Sequence, residues 1–122
     1  MNLIALGCAD PAHMFDGHFG ESPGFTIVDC DGVRPDEWRD NPWSQEPLTT
    51  RPPKIAALLG DCDAIMVRAI ARAGLDQLSQ RFVVALATGD EVAQLAAQLT
   101  SNGVAGFRQF DRSLGKFVST AR

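Results

Sequence analysis

The sequence lacks any long hydrophobic run. Its longest apolar segments, such as Phe82 to Ala87, are far too short to cross a bilayer. The apolar stretch near the N-terminus, Leu3 to Cys8, has no basic segment before it, which argues against a signal peptide. We therefore expect a cytoplasmic protein that does not interact with a membrane.

Cysteine is scarce, and its spacing excludes several kinds of site. There are three cysteines, Cys8, Cys30 and Cys62, and an odd number without close pairing argues against a disulfide framework. No Cys-x-x-Cys motif is present, so neither a zinc ribbon nor a thioredoxin-type site is indicated. We interpret Cys30 and Cys62 as packing residues. Cys8 is left open as a small buried hydrophobe or a ligand.

Positive charge is also in short supply. The chain has 11 basic and 15 acidic residues, a net charge of −4, which does not favour binding to nucleic acid. Residues 1–49 carry 2 basic and 9 acidic groups, whereas residues 50–122 carry 9 basic and 6 acidic groups. An anionic ligand would therefore find its cations in the second half of the chain. The nearest are Arg51, Lys54, Arg68 and Arg72, each of which could equally be a solvated surface charge.

The residues that are present suit one folded α/β domain. A chain of 122 residues with 45% hydrophobic residues is long and apolar enough for a core. Strands are predicted at residues 3–8, 25–30, 33–40, 63–67 and 82–87, and helices at 54–59, 70–78 and 92–102. The order β-β-β-α-β-α-β-α predicts an α/β sandwich with a mixed five-stranded sheet, whose later strands are parallel.

Turn and capping residues place the boundaries of these elements. Asp31-Gly32 predicts a hairpin into a polar third strand near a sheet edge. Residues 41–53 are rich in Pro, Ser, Thr and Trp and predict a long surface loop, with Pro52 and Pro53 at the start of the first helix. Thr88 and Glu91 have the spacing of a capping box for the last helix.

The C-terminal segment, residues 106–122, has a different pattern. Phe107, Phe110, Leu114 and Phe117 are spaced 3, 4 and 3 apart, with basic residues between them. This spacing predicts an amphipathic helix, although Gly106 and Gly115 disfavour one. Such a tail would pack on its own domain or dock to a partner protein. We therefore divide the chain into a domain over residues 1–105 and a tail over 106–122.

The run from Asp16 to Phe25 is the strongest candidate for a binding loop. It contains Gly17-His18-Phe19-Gly20, which lies between two apolar strand-like segments. The small neighbours let the imidazole stand clear of the backbone and meet a ligand. The spacing Cys8-x4-His13-x4-His18 matches no standard metal site, so whether Cys8 or His13 joins His18 stays open.

Three segments resemble the nitrogenase iron–molybdenum cofactor biosynthesis family, which includes the NifX and NafY carrier proteins and the C-terminal part of NifB. The first is the strand Leu3-Ile4-Ala5-Leu6. The second begins with His18-Phe19-Gly20 and runs to Asp29, and the third covers residues 55–78. Together the resemblance spans about residues 2 to 105, and the His-Phe-Gly loop is its most specific part.

The resemblance implies a ribonuclease-H-like three-layer α/β/α fold and a non-catalytic role. Members of this family bind the iron–molybdenum cofactor or its iron–sulfur precursors and pass them between cofactor-assembly or nitrogenase proteins. The loop histidine is implicated in cofactor binding in the family, which assigns His18 here as the metal ligand. The sequence departs from the family at Ala71, where glycine is usual, and at Gln80-Arg81-Phe82 before the last predicted strand. Both changes bear on the ligand more than on the fold.

A transferable metal–sulfur cluster is anionic and needs few ligands. Imidazole and thiolate suit iron, so His18 is the first candidate and Cys8 the second. Arg68 and Arg72, four apart at a predicted helix start, could face the same anion.

Two other classes of function compete with cluster carriage. A nuclease would need several carboxylates near the centre of the sheet, yet residues 3–8 contain none, and no nucleophile motif supports a hydrolase. A regulatory or protein-interaction domain that binds no cluster is the alternative.

Overall fold

The computed structural model describes residues 2–119 and forms a mixed α/β fold with three α-helices. The strands are β1 (Leu3–Asp10), β2 (His13–Met14), β3 (Gly24–Asp29), β4 (Glu37–Asp40), β5 (Ala64–Val67), β6 (Val83–Leu86), β7 (Gln109–Asp111) and β8 (Lys116–Val118). The helices are α1 (Arg51–Leu58), α2 (Arg72–Leu78) and α3 (Val92–Asn102). Short 3-10 turns at Phe19–Glu21 and Gly103–Gly106 complete the order.

One mixed sheet organises the molecule, in the order β4-β3-β1-β5-β6-β7-β8, with β2 paired to the end of β1. The central strands β1, β5 and β6 are parallel, with Leu6 opposite Met66 and Met66 opposite Ala85. The flanking strands run antiparallel, and β4 lies at one edge as the sequence predicts. The carboxyl ends of β1, β5 and β6 therefore meet at one end of the sheet.

The alternation of side chains along β1 separates two hydrophobic clusters on opposite faces of the sheet. Leu3 and Ala5 belong to the cluster packed against α1 and α2, which contribute Ile55 and Leu75 among others. Ile4, Leu6 and Cys8 belong to the cluster packed against α3, which contributes Val92, Leu95 and Leu99. The predicted mixed α/β fold is confirmed, and its ribonuclease-H-like identity stays a prediction.

The prediction of five strands is wrong, because the sheet formed by residues 2–119 has eight. The two-residue β2 is too short to produce an alternating pattern. The predicted helical tail is also wrong, because residues 109–118 form the hairpin β7–β8. Phe110 and Phe117 lie opposite each other across this hairpin and pack against the core. Their separation of seven positions, which suggested one face of a helix, arises from this strand pairing.

The predicted capping box at Thr88 and Glu91 is wrong as well. Glu91 precedes α3, but its side chain makes no capping hydrogen bond. The Thr88 hydroxyl lies 3.4 Å from Oε1 of Gln98 instead. Pro52 and Pro53 do occupy the first turn of α1, as predicted.

The longest helix over residues 2–119 is α3, with 11 residues. No helix in that part of the chain is long and apolar enough to cross a membrane.

Candidate functional site

The loop that carries His18 is attached to the carboxyl end of the parallel strands. It follows β2 and lies beside Ala69, which comes just after β5. The backbone N–H of Phe19 donates to the Ala69 carbonyl at 2.8 Å, and His18 forms an isolated parallel bridge with Ala69. His18 therefore has a fixed backbone position although it lies outside the regular strands.

Phe19 anchors this loop in the core. Its side chain is buried and its ring centroid lies 5.1 Å from that of Phe25. The ring packs so close to Gly7 on β1 that a Cβ there would come within 2.7 Å of Phe19 Cδ1 and of Ser22 Oγ. The amide of Asn41 adds a second anchor, because its Nδ2 donates to the carbonyls of Gly20 at 3.0 Å and Ser22 at 2.9 Å.

The imidazole of His18 is exposed at the mouth of a small cleft. The ring makes no hydrogen bond or ion pair with the residues that the structure describes. The cleft has about 10 Å³ of free volume, room for about one water molecule. Its walls come from α1, α2 and three connecting segments. They are formed by His18, Gly20, Leu48, Arg51, Pro52, Ile55, Ile70, Ala71, Gly74 and Leu78.

The structure places Arg51 in this cleft. The sequence offered it only as one of four candidate cations for an anionic ligand. Arg51 is the first residue of α1 and is 5% exposed. Its Nη1 donates to the carbonyls of Ser44 at 3.5 Å and Glu46 at 3.2 Å. No local sequence pattern indicates this burial, because an arginine that follows a loop rich in Pro, Ser and Thr is ordinarily exposed.

Ala71, at the position where the resemblance leads us to expect glycine, lies in the cleft wall. It is half-buried and directly precedes α2 with an extended backbone, at φ −66° and ψ 146°. Its methyl group therefore contributes to the narrow width of the cleft beside His18.

The structure does not bring Cys8 to His18. Cys8 is 0% exposed and belongs to the cluster packed against α3, on the opposite face of the sheet from the cleft. Burial raises the pKa of its thiol, which disfavours the thiolate that binds metals. Cys30 and Cys62 are also buried, as expected, and burial raises their pKa values to about 11 and about 12.

Arg68 and Arg72 do not share an anion site in the structure. Arg68 lies before α2 rather than within it, so the helical spacing assumed for the pair does not apply. Arg68 Nη1 lies 3.3 Å from Asp90, and Arg72 Nε lies 3.3 Å from Asp76 one turn along α2. Each guanidinium thus faces a carboxylate, and neither lines the cleft.

His13 lies in a separate place, paired with Asp10. Its Nδ1 is 3.0 Å from Asp10 Oδ1, and both side chains are about half exposed. Hydrogen bonds from the Ala12 backbone and then from the His13 side chain hold the pKa of Asp10 below its usual value. The backbone of His13 also forms an isolated antiparallel β-bridge with Glu91. His13 and Asp36 line a separate groove. His13 therefore does not join His18.

Over residues 2–119, no three His, Cys, Asp or Glu side chains lie close enough together to hold a metal ion among themselves. Among the described residues that line the cleft, His18 is the only histidine, cysteine or carboxylate.

Comparison with solved structures supports the fold. A crystal structure of a candidate dinitrogenase from Methanocaldococcus jannaschii is 17% identical, covers 89% of this chain and 95% of its own, and has a TM-score of 0.65. A solution structure with the same description is 18% identical, covers 82% and 87%, and has a TM-score of 0.62. At such identities the likeness concerns the fold alone. No curated protein matches the sequence.

The sequence itself matches one protein family. The match covers residues 1–102 and so includes the His18 loop, the parallel strands and all three helices. The chain belongs to the dinitrogenase iron–molybdenum cofactor family.

Proposed function

We propose that this protein is a carrier that holds a metal–sulfur cluster through His18 and releases it to another protein. The observation that carries this proposal is an exposed imidazole without a partner over residues 2–119, on a backbone fixed by Ala69 and Phe19. Neutral imidazole is a good ligand for iron and related metals. Because the backbone of His18 is already fixed, metal binding has to order only its side chain.

A single protein ligand suits transfer rather than permanent storage. Each additional ligand would slow release, because every protein–metal bond must break before the cluster moves on. The cleft has about 10 Å³ of free volume, so a cluster would lie over its mouth and remain accessible to a receiving protein. Coordination by His18 and contact with the apolar rim would then hold it.

Family membership favours the iron–molybdenum cofactor, or an iron–sulfur precursor of it, as the cargo. The partners would be cofactor-assembly or nitrogenase proteins, which deliver or receive the cluster. In this role the protein performs no catalysis. His18 binds and then releases the cluster, and no covalent bond of a substrate is made or broken.

Anaerobic loading tests the proposal. Purified protein is incubated with isolated iron–molybdenum cofactor or with a reconstituted iron–sulfur cluster, desalted, and assayed for iron, molybdenum and visible absorbance. We expect His18→Ala to weaken uptake about tenfold or more, since it removes the one proposed metal ligand.

His13→Ala is the matched control, because His13 is also an exposed loop histidine but pairs with Asp10 away from the cleft. It should take up cluster as the unmodified protein does. Equal, small losses in the two variants would mean that His18 is not the ligand. A protein that takes up no cluster at all would contradict carriage and favour a regulatory or interaction domain instead.

A further inference from the structure

A second feature of the cleft is a buried positive charge. The Arg51 side chain is 5% exposed, and its guanidinium lies against Gly20, where a Cβ would come within 2.5 Å of Nε. Only Nη1 bonds to the protein, through the carbonyls of Ser44 and Glu46. Because the other N–H groups have no hydrogen-bond acceptor over residues 2–119, they are available to a ligand.

No carboxylate neutralises this charge within the described chain. Glu46 is the acid nearest in sequence, but its carboxylate pairs with Lys54. None of the ion pairs of residues 2–119 involves Arg51. The unbonded N–H groups of Arg51 still reach solvent, so an anion that replaces this water gains a charge-assisted hydrogen bond.

The cleft has room for about one water molecule, so it suits a single oxygen atom of an anion whose remainder lies at the mouth. Leu48, Ile55 and Ile70 give the cleft apolar walls, in which a charge-assisted hydrogen bond is stronger than in water. The planar guanidinium presents paired N–H groups that match the oxygens of a carboxylate or a tetrahedral oxyanion. Its position in the same cleft as His18 lets one ligand contact both residues.

We propose that Arg51 is a subsite for an oxyanion beside the metal position at His18. The inference rests on the proposed function only in placing both groups in one binding site. The oxyanion comes either as a free ion or as a carboxylate or oxo group carried by the cluster. In the second case Arg51 orients the cluster, while His18 binds its metal.

The free-ion source is tested on cluster-free protein. Molybdate, phosphate and citrate are titrated, with chloride as the control anion, and binding is followed by calorimetry and by backbone amide shifts of Gly20 and Leu48. We expect saturable binding that Arg51→Lys weakens about tenfold, because lysine keeps the charge but lacks the planar pair of N–H donors. Arg108→Met, which removes an exposed arginine outside the cleft, should leave binding unchanged.

The cluster-borne source is tested by anaerobic loading of Arg51→Lys. A tenfold loss of uptake without free-ion binding would assign the oxyanion to the cluster. Ala71→Leu provides a second variant, because it fills the cleft without changing Arg51 and should reduce both kinds of binding.

The two proposals fail separately. Free-ion binding that depends on Arg51, in a protein that takes up no cluster, would support the subsite and contradict carriage. Cluster uptake that is equal in Arg51→Lys and the unmodified protein, with no free-ion binding, would overturn the subsite and leave carriage intact. Absence of both kinds of binding would overturn both.

Discussion

At the scale of single residues, the free space beside a glycine shows whether a larger side chain would fit there. Gly7 and Gly20 lack this space, and Gly74 has it. A Cβ at Gly7 would collide with Phe19, and one at Gly20 would collide with Arg51. These two glycines let the His18 loop pack against β1 and the guanidinium pack against the loop. Gly74 in α2 differs, because a Cβ there would meet only Ile70 Cγ1 at an ordinary 3.8 Å.

Gly74→Ala should therefore stabilise the protein by about 0.5–1 kcal/mol. Alanine has the higher helix propensity and reduces the freedom of the unfolded chain, and the space for its methyl group exists. Urea unfolding followed by circular dichroism measures the change. Gly7→Ala, its opposite, should cost about 1–3 kcal/mol because Phe19 must move. Destabilisation by Gly74→Ala would show that the cleft wall is tighter than the structure has it.

At the scale of elements, one arginine joins the edge strand β4 to the end of α1. The Arg39 guanidinium donates to both oxygens of Asp61 at 2.7 Å and to the Leu58 carbonyl at 3.1 Å. It also lies 2.9 Å from Glu37. These hydrogen bonds, chiefly those from Arg39, lower the pKa of Asp61 to about 2. The edge strand is thus fixed by charge as well as by its pairing with β3.

The Arg39–Asp61 pair predicts a pH-dependent stability. The folded pKa of Asp61, about 2, lies below its ordinary 3.8, so the pair stabilises the fold above pH 3.8 and is lost as the pH falls through 2. Because the Asp61 side chain is 46% exposed, solvent screening reduces the contribution to about 1 kcal/mol. Asp61→Asn should cost about this much at pH 6 and little at pH 2, as measured by urea unfolding.

Arg39→Met provides the second test of the same pair. Its cost should likewise fall between pH 6 and pH 2, although it also loses the bonds to Leu58 and Glu37. A cost of Asp61→Asn that does not change with pH would mean that the pair is not formed in solution.

At the scale of the whole molecule, the hairpin β7–β8 completes the sheet beyond the region of the family match, which ends at residue 102. β7 pairs with β6 and so covers what would otherwise be an open edge. Phe110 and Phe117 pack against the cluster under α1 and α2. Arg112 then ties the hairpin to α2 through the Asp76 carbonyl at 3.2 Å and Ser79 Oγ at 2.9 Å.

A chain that ends at Arg108, and so keeps the buried Phe107 but lacks the hairpin, should be less stable and should self-associate. Loss of the two half-buried phenylalanines costs about 2 kcal/mol, roughly 10 °C in Tm, and the exposed edge of β6 can pair with another molecule. Differential scanning calorimetry and size-exclusion chromatography measure both effects. Leu114→Ser is the control, since this turn residue is 60% exposed and should change neither property. An unchanged Tm after truncation would show that the hairpin is dispensable.

Much of the fold is determined by local sequence. The β-branched and apolar runs of β1, β3 and β5 and the prolines before Lys54 specify their elements without help from distant residues. The family and its histidine loop are likewise visible in the short segment His18-Phe19-Gly20. The β7–β8 hairpin was not predictable in this way, because the facing pair Phe110 and Phe117 has the same spacing in sequence as a helical stripe.

The sequence by itself determined the α/β class, the family and the candidate ligand His18, because these depend on local pattern and on a contiguous motif. Only the tertiary structure decided which other groups accompany that histidine. Side-chain alternation on β1 sends Cys8 to the opposite face, and Arg68 and Arg72 face carboxylates. Arg51, which follows His18 by 33 positions in the sequence, lines the cleft instead. Such long-range contacts depend on packing, which no local spacing encodes.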